Sequence, residues 1–265
     1  MDQHTLVDIG GRRLAVQCAG EGTPTVVFEA GLACDSTTWD TLFTDVTTIT
    51  GACRYDRAGL GASDPAPTPR TAREMARDLH LLLTRAEIPQ PYILVGHSYG
   101  GVVARLYTSS YAREVAGLVL IDTAHPHEVS RARALLPPVA PDEGDAVATI
   151  RRVLTRGRAN PGGNVEGADM AASDAQIAEI TSLGQIPLVS VGRSRYHFVP
   201  GVPDDLAGRM QQLVIDLRTD LATLSSRGRF VLAEESGHFI HQDQPNVVIE
   251  AIRWVIEHVH DREAG

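Results

Sequence analysis

The chain has 265 residues, of which 43% are hydrophobic and 22% charged, and 33 acidic residues against 24 basic ones give a formal charge of −9. This length fits one large domain or two small ones with a sizeable buried core. Every basic residue is arginine, which excludes lysine-centred chemistry such as a pyridoxal Schiff base or a P-loop. The negative charge argues against nucleic acid or an anionic membrane as partner. We therefore expect a small-molecule partner and leave the oligomeric state open.

The three cysteines, Cys18, Cys34 and Cys53, follow neither C-x-x-C nor zinc-site spacing. Any intramolecular disulfide would leave one of them unpaired, so a reducing compartment is the default. The first residues lack the basic and apolar regions of a signal peptide, and no apolar run approaches the roughly 20 residues that cross a bilayer. The prediction is a cytoplasmic protein without a membrane partner.

Two alternating runs near the N-terminus, Thr5 to Ile9 and Leu14 to Cys18, flank Gly10-Gly11. This pattern is typical of a β-hairpin. Short apolar runs rich in β-branched residues follow, and they fit strands buried on both faces of a parallel sheet. These predicted strands are Thr25 to Phe28, Ala52 to Tyr55, Tyr92 to Val95, Val115 to Ile121, Leu188 to Val191 and Phe230 to Ala233.

Stretches with helical periodicity lie between these runs. They include Thr71 to Arg85, Val102 to Tyr111 and a last helix expected from about Pro245. Alternation of strand and helix predicts an α/β domain with right-handed crossovers and helices on both faces of the sheet.

The interval from Asp122 to Ile186 contains no strand-like run and is polar, with Pro137-Pro138 among its turns. Ligands of α/β proteins bind beyond the carboxyl ends of the strands, so an insertion that follows such an end is placed to cover a site. We predict a core formed by residues 1–123 and 186–265, and a mobile cap formed by residues 124–185. Tyr196 to Phe198 are candidates either to line the pocket or to form a buried aromatic cluster.

The most specific chemical signal is Gly96-His97-Ser98-Tyr99-Gly100, which follows a predicted strand and precedes a helical stretch. In G-x-S-x-G the serine lies on a sharp turn, and the next backbone N–H, here that of Tyr99, points to where an oxyanion develops. The N-terminus of the helix adds partial positive charge. Ser98 is the candidate nucleophile, and an ordinary serine in a glycine-rich turn is the alternative.

A serine hydroxyl needs a base to become a nucleophile. His238 follows the predicted strand Phe230 to Ala233, and it is therefore expected at the same carboxyl edge of the sheet as Ser98. His97 is expected to face away from Ser98. The other histidines are interpreted as solvated or structural, and no metal site is predicted because H-E-x-x-H is absent.

With these residues, the sequence resembles the α/β-hydrolase superfamily over nearly its whole length, in the branch of small esterase, lactonase and C–C hydrolase-like proteins. The supporting matches are Asp56 to Ser63, Val119 to Asp122, and Gln244-Pro245 before the last helix. Each is weak alone, but their order is specific. The resemblance implies an α/β-hydrolase fold with a mostly parallel eight-stranded sheet, helices on both faces, a cap after the sixth strand, and no cofactor.

The family carries its second oxyanion N–H in the loop after the third strand, often as His-Gly. Here the loop reads Glu29-Ala30-Gly31-Leu32. The histidine is absent, but a backbone donor needs no particular side chain. Aligning the glycine implies that the N–H of Leu32 acts with that of Tyr99, and a plain turn glycine is the alternative. Asp56-Arg57 resembles a structural turn of the family that braces a loop.

Much of the family carries the triad acid after the seventh strand, where this chain has Gly192 to Arg195 and no carboxylate. Asp122 ends the sixth strand, a position that some lipases of the superfamily use. Asp204 and Asp205 are the alternatives, although they could merely cap a helix that begins near Leu206. Asp122 is preferred because its strand fixes it on the catalytic edge.

The resemblance implies a serine hydrolase that cleaves an ester or lactone through a Ser98 acyl-enzyme, with His238 as general base. Thioester, peptide or C–C bond hydrolysis and cofactor-free lyase or cyclase chemistry occur on the same fold, so the exact reaction rests on analogy. A hydrolase-like module that senses a ligand without turnover is the alternative from another class.

Overall fold

The computed structural model describes residues 4–140, 143–156, 164–195 and 200–259. The predicted pocket residues Tyr196 to Phe198 lie outside these ranges. The strands are β1 (Thr5–Asp8), β2 (Arg13–Ala19), β3 (Thr25–Glu29), β4 (Ala52–Tyr55), β5 (Tyr92–His97), β6 (Val115–Ile121), β7 (Leu188–Arg193) and β8 (Gly228–Ala233).

These strands form one eight-stranded sheet in the order β1-β2-β4-β3-β5-β6-β7-β8. Only the pairs that involve β1 and β2 are antiparallel, and all pairs from β4 to β8 are parallel. The predicted hairpin is present because Gly10 and Gly11 have φ angles of +98° and +101°, which side chains rarely tolerate. The predicted sheet is therefore confirmed.

Helices cover both faces of this sheet. In chain order, the helices of the described residues are α1 (Asp40–Val46), α2 (Ala72–Arg85), α3 (Tyr99–Ser110), α4 (Glu128–Ala134), α5 (Asp145–Arg156), α6 (Met170–Ala178), α7 (Asp204–Ala222), α8 (Ile240–Asp243) and α9 (Pro245–Val259). Of these, α4, α5 and α6 pack on other helices.

The helices that lie on the sheet bury an apolar stripe against it. On one face α2 packs Met75 and Leu79 in the same core as residues of α3, and on the other α9 packs Val248 and Val255 with residues of α1. The spacing of three to four positions on α2 is that of one helix face. α2 begins with a capping box, in which the Thr71 N–H donates to Glu74 Oε2 at 2.7 Å.

A part of the predicted cap, residues 167–173, is hydrogen-bonded to the predicted core. The N–H of Arg70 donates to the Gly167 carbonyl at 2.9 Å, and the N–H of Asp169 donates to the Arg70 carbonyl at 2.7 Å. Ser173 Oγ, in α6, accepts from the Ala72 N–H at 3.0 Å. The domain boundary and the mobility of residues 124–185 stay predictions, but this part of the segment is bonded to the core.

Cys18 and Cys53 are directly opposite in the β2–β4 pair and form a disulfide. Cys34 is a free, half-buried thiol. Among the described residues, no helix is long and apolar enough to cross a membrane.

Candidate active site

Ser98 lies between β5 and α3, as the N-cap residue of α3. Its φ of +52° is in the left-handed region, which costs energy for a residue with a side chain. The Ser98 N–H donates to the Ile121 carbonyl at 2.9 Å, so the neighbouring strand holds this strained turn. The serine therefore stands at the carboxyl edge of the sheet, at the positive end of a 12-residue helix.

The glycines of the turn allow backbones to approach closely. A Cβ on Gly96 would lie 2.6 Å from the Cα of Gly101, and a Cβ on Gly100 would lie 2.2 Å from the Glu29 carbonyl oxygen. α3 begins at Tyr99, three residues before the predicted start at Val102. Its first turn contains Gly100 and Gly101, which are poor helix formers, and no larger residue fits at either position.

His238 bridges Ser98 and Asp122. Its Nδ1 lies 2.6 Å from Asp122 Oδ2, and its Nε2 lies 3.1 Å from Ser98 Oγ. The carboxylate only accepts, so the proton of a neutral imidazole is on Nδ1 and Nε2 accepts from the serine hydroxyl. The structure thus brings together the three residues chosen from the sequence in the geometry of a nucleophile, a base and an orienting acid.

Asp122 directly follows β6 and is 1% exposed. Besides His238, two guanidinium groups bind its carboxylate: Arg218 Nε donates to Oδ1 at 2.9 Å, and Arg193 Nη1 lies 2.7 Å from Oδ2. Burial opposes ionisation of Asp122, but the charge of Arg218, the hydrogen bond from His238 and the charge of Arg193 outweigh it and hold its pKa well below the usual range. The carboxylate is ionised at neutral pH.

The alternative acids lie elsewhere. Asp204 and Asp205 lie in the first turn of α7, where negatively charged carboxylates interact favourably with the helix dipole. The side chain of Asp205 is 74% exposed and pairs with Arg209 one turn later.

Sequence reasoning missed Arg193, Arg218 and Glu128. Arg218 Nη1 donates to Glu128 Oε2 at 2.9 Å, so a charged chain runs from Asp122 to α4. One signal was available for Arg193: it stands where the family more often has the acid, and here it binds the acid of the adjacent strand.

The backbone of His238 is held by a second histidine. His97 Nε2 lies 2.9 Å from the His238 carbonyl oxygen, and a carbonyl only accepts, so His97 carries its proton on Nε2. Burial and the nearby rings of His241 and His238 hold the pKa of His97 well below its usual range. His97 is therefore a neutral structural group whose side chain contacts the backbone of His238.

Leu32 and Tyr99, the candidate oxyanion donors, line a pocket of about 190 Å³ together with Ser98 and His238. Burial raises the pKa of the Tyr99 hydroxyl to about 12, so that group stays neutral. In the described ranges, no group of three or more His, Cys, Asp or Glu side chains could hold a metal ion.

A model of the alpha/beta hydrolase family matches residues 26–251. The chain belongs to the alpha/beta hydrolase family. It is 30% identical to the protein YqjL of Bacillus subtilis over 236 residues, which are 88% of this chain and 83% of YqjL.

Solved structures share the fold of this α/β-hydrolase. A thermophilic esterase from Thermogutta terrifontis matches with a TM-score of 0.67 and 23% identity, over 97% of this chain and 99% of that one. An enol-lactonase from Burkholderia xenovorans matches with a TM-score of 0.66 and 18% identity, over 96% of this chain and 100% of that one. At such identities the likeness concerns the fold and not the substrate.

Replacing Asp122 by Asn should lower kcat by about 10² to 10⁴ with little change in KM, because the amide spoils the tautomer and the stabilisation of the imidazolium. It should also destabilise the fold by about 3–5 kcal/mol at neutral pH, since the largely buried side chains of Arg193 and Arg218 each lose one negatively charged partner. Folding lowers the pKa of Asp122, so the carboxylate stabilises the protein above its unfolded pKa of about 4 and this contribution is lost as the pH falls through the folded value.

Steady-state kinetics and chemical denaturation at pH 7 and in acid measure both effects, with Asp204→Asn and Asp205→Asn as controls near wild type. A near-normal kcat for Asp122→Asn would show that another group orients His238.

Proposed function

We propose that this α/β-hydrolase is a serine hydrolase that cleaves an ester or lactone of a small molecule through an acyl-enzyme on Ser98. The observation that carries the proposal is the double contact of His238, with Ser98 Oγ on one ring nitrogen and Asp122 on the other. No cofactor is needed for this reaction.

In the first half of the reaction, Ser98 Oγ attacks the carbonyl carbon while His238 Nε2 takes the hydroxyl proton. The negative charge on the carbonyl oxygen is met by the backbone N–H groups of Leu32 and Tyr99. Collapse of the tetrahedral intermediate breaks the bond to the leaving oxygen, which receives the proton from His238. Ser98 is left acylated.

In the second half, water enters and His238 removes its proton as the water oxygen attacks the acyl carbon. The second tetrahedral intermediate expels Ser98 Oγ, which regains its proton from His238. The product acid leaves and the free serine is restored. Asp122 stays ionised throughout and orients the imidazole.

An apolar chamber of about 220 Å³ adjoins the catalytic pocket, and both are lined by Glu128 and Met170. The other walls come from α4, α5 and α7 and are mainly aliphatic; they include Val129, Ala132, Ile150, Leu154, Leu213 and Val214. A hydrocarbon group gains roughly 0.8 kcal/mol per buried CH₂. We therefore propose a substrate with an apolar acyl or alcohol part of several carbons.

Ser98→Ala should abolish labelling by a fluorophosphonate probe and reduce ester turnover by about 10⁴ to 10⁶, because the attacking oxygen is gone. Labelling and turnover of p-nitrophenyl esters, lactones and thioesters measure this. A variant that keeps more than a tenth of wild-type activity, with contamination excluded, would rule out Ser98 as nucleophile. A wild-type protein that is neither labelled nor active would favour a ligand-sensing module.

Ala132→Trp should fill part of the chamber and lower kcat/KM for p-nitrophenyl octanoate at least about tenfold relative to the acetate, since excluding a few methylenes costs more than 1 kcal/mol. Ala134→Trp is the matched control, because Ala134 is an exposed residue of the same helix. An unchanged octanoate-to-acetate ratio in Ala132→Trp would place the apolar group elsewhere.

The cytoplasm stays the predicted compartment, although a Cys18–Cys53 disulfide is more typical of oxidising compartments. Fractionation of the source cells with immediate alkylation of thiols tests both the compartment and the oxidation state of Cys18 and Cys53. A reduced protein in the cytoplasm reacts at three cysteines. Recovery in an exported fraction, with one reactive cysteine, would show the prediction of a cytoplasmic protein to be wrong.

A further inference from the structure

Arg57 is a buried arginine whose five N–H groups are all used. Its side chain is 3% exposed, and Arg57 lies two residues after the end of β4. Nε and Nη2 donate to the two carboxylate oxygens of Glu166, both at 2.7 Å. Nη1 donates to Glu29 Oε1 at 2.6 Å. The other two N–H groups bind main-chain carbonyls of the loop that contains Leu32.

These two carbonyls are those of Ala30 and Gly31, at 2.5 and 2.6 Å. The Gly31 carbonyl and the Leu32 N–H belong to one planar trans peptide, so they point in opposite directions. Arg57 therefore fixes the direction of the Leu32 N–H by holding the other end of the same amide. A hydrogen bond from a cation to that carbonyl also polarises the amide and strengthens its N–H as a donor.

Glu166 holds the loop on the other side of Leu32 as well. Its Oε1 accepts from the Ala33 N–H at 2.6 Å. Ala33 has a φ of +62°, a strained value for alanine that persists only when the surroundings impose it. The peptides before and after Leu32 are thus both bonded to the Arg57–Glu166 pair.

Glu166 comes from the 124–185 segment and is 1% exposed at its side chain, whereas Glu29 lies within the sheet. Glu29 contacts one nitrogen of Arg57. Glu166 binds the Nε–Nη2 edge in a two-point contact, and such a fork sets the plane of the guanidinium. Without Glu166 the charge of Arg57 would still have Glu29 as a counter-ion, but the guanidinium would lose the contact that sets its plane relative to the Gly31 carbonyl.

We propose that Glu166 is a positioning residue, which holds the Leu32 N–H in place for the oxyanion through Arg57 and Ala33. The proposal rests on the proposed acyl transfer at Ser98. Its consequence is that the segment 124–185 contributes to transition-state stabilisation in addition to covering the site. The effect belongs to the charge on the substrate oxygen, which exists only after attack, and therefore appears in kcat and not in KM.

Glu166→Gln tests this role, because it keeps the size of the side chain and removes the charge and one acceptor. We expect kcat per active site to fall about 10-fold to 100-fold, less than the loss on deleting an oxyanion donor, with KM within about twofold. The inhibition constant of phenylboronic acid, which forms a tetrahedral adduct with an active serine, should rise by a similar factor. Active sites are counted by fluorophosphonate labelling at saturation.

Glu179→Gln is the control. Glu179 lies in the same segment and also pairs with an arginine outside it, Arg73, at 3.0 Å, but both side chains of this pair are exposed. It should match wild type in every measurement. A purely structural role of Glu166 would lower the melting temperature and the number of active sites while leaving kcat per site and boronate affinity unchanged.

If Glu166→Gln does not fold, Glu166→Asp decides by the same measurements, because its shorter carboxylate keeps the charge but cannot hold both Arg57 and Ala33. If the wild type is active and the variant has a kcat and a boronate affinity within twofold of wild type, the positioning role of Glu166 is overturned while the proposed chemistry at Ser98 stands. Absence of labelling and turnover in the wild type would instead contradict the chemistry at Ser98, and with it this inference.

Discussion

The buried carboxylate of Asp122 is the group on which the site depends. A charge removed from water costs several kcal/mol unless partners surround it, and the partners of Asp122 come from β7 with Arg193, from α7 with Arg218 and from the loop after β8 with His238. Satisfying this one carboxylate therefore fixes three elements relative to the end of β6. Ser98 is fixed to the same edge independently, by the bond of its N–H to β6.

The charges around this carboxylate balance. Asp122 and Glu128 carry two negative charges, and Arg193 and Arg218 carry two positive ones. In the proposed reaction the imidazolium of His238 forms beside Asp122 Oδ2, an oxygen that also binds the guanidinium of Arg193. The attraction of Asp122 for the imidazolium is accordingly divided with a guanidinium, so orientation of the ring by the short Nδ1–H bond accounts for more of its role than charge does.

The features that the sequence predicts are local ones. The strands appear as short apolar runs, the hairpin as Gly10-Gly11, and the sharp turn at Ser98 as a glycine pattern between a strand and a helix, since each depends on neighbouring residues. The pairs Arg218–Asp122 and Arg57–Glu166 join residues 96 and 109 positions apart. No periodicity marks such pairs, because a buried arginine and an exposed one look alike in a sequence. Asp122 could be chosen only because a strand end is a local signal that also fixes a position in space.

Two carboxylates of the segment 124–185 bind core arginines at the catalytic edge. Glu128 pairs with Arg218, which binds Asp122, and Glu166 pairs with Arg57, which binds the Gly31 carbonyl next to Leu32. Separating a buried pair leaves uncompensated charge and costs several kcal/mol. A rigid-body opening of the whole segment would break both pairs at once and is therefore disfavoured. In the proposed reaction, α4 and α5 of this segment would shape the apolar chamber, whereas Glu128 and Glu166 would hold the arginines behind Asp122 and Leu32.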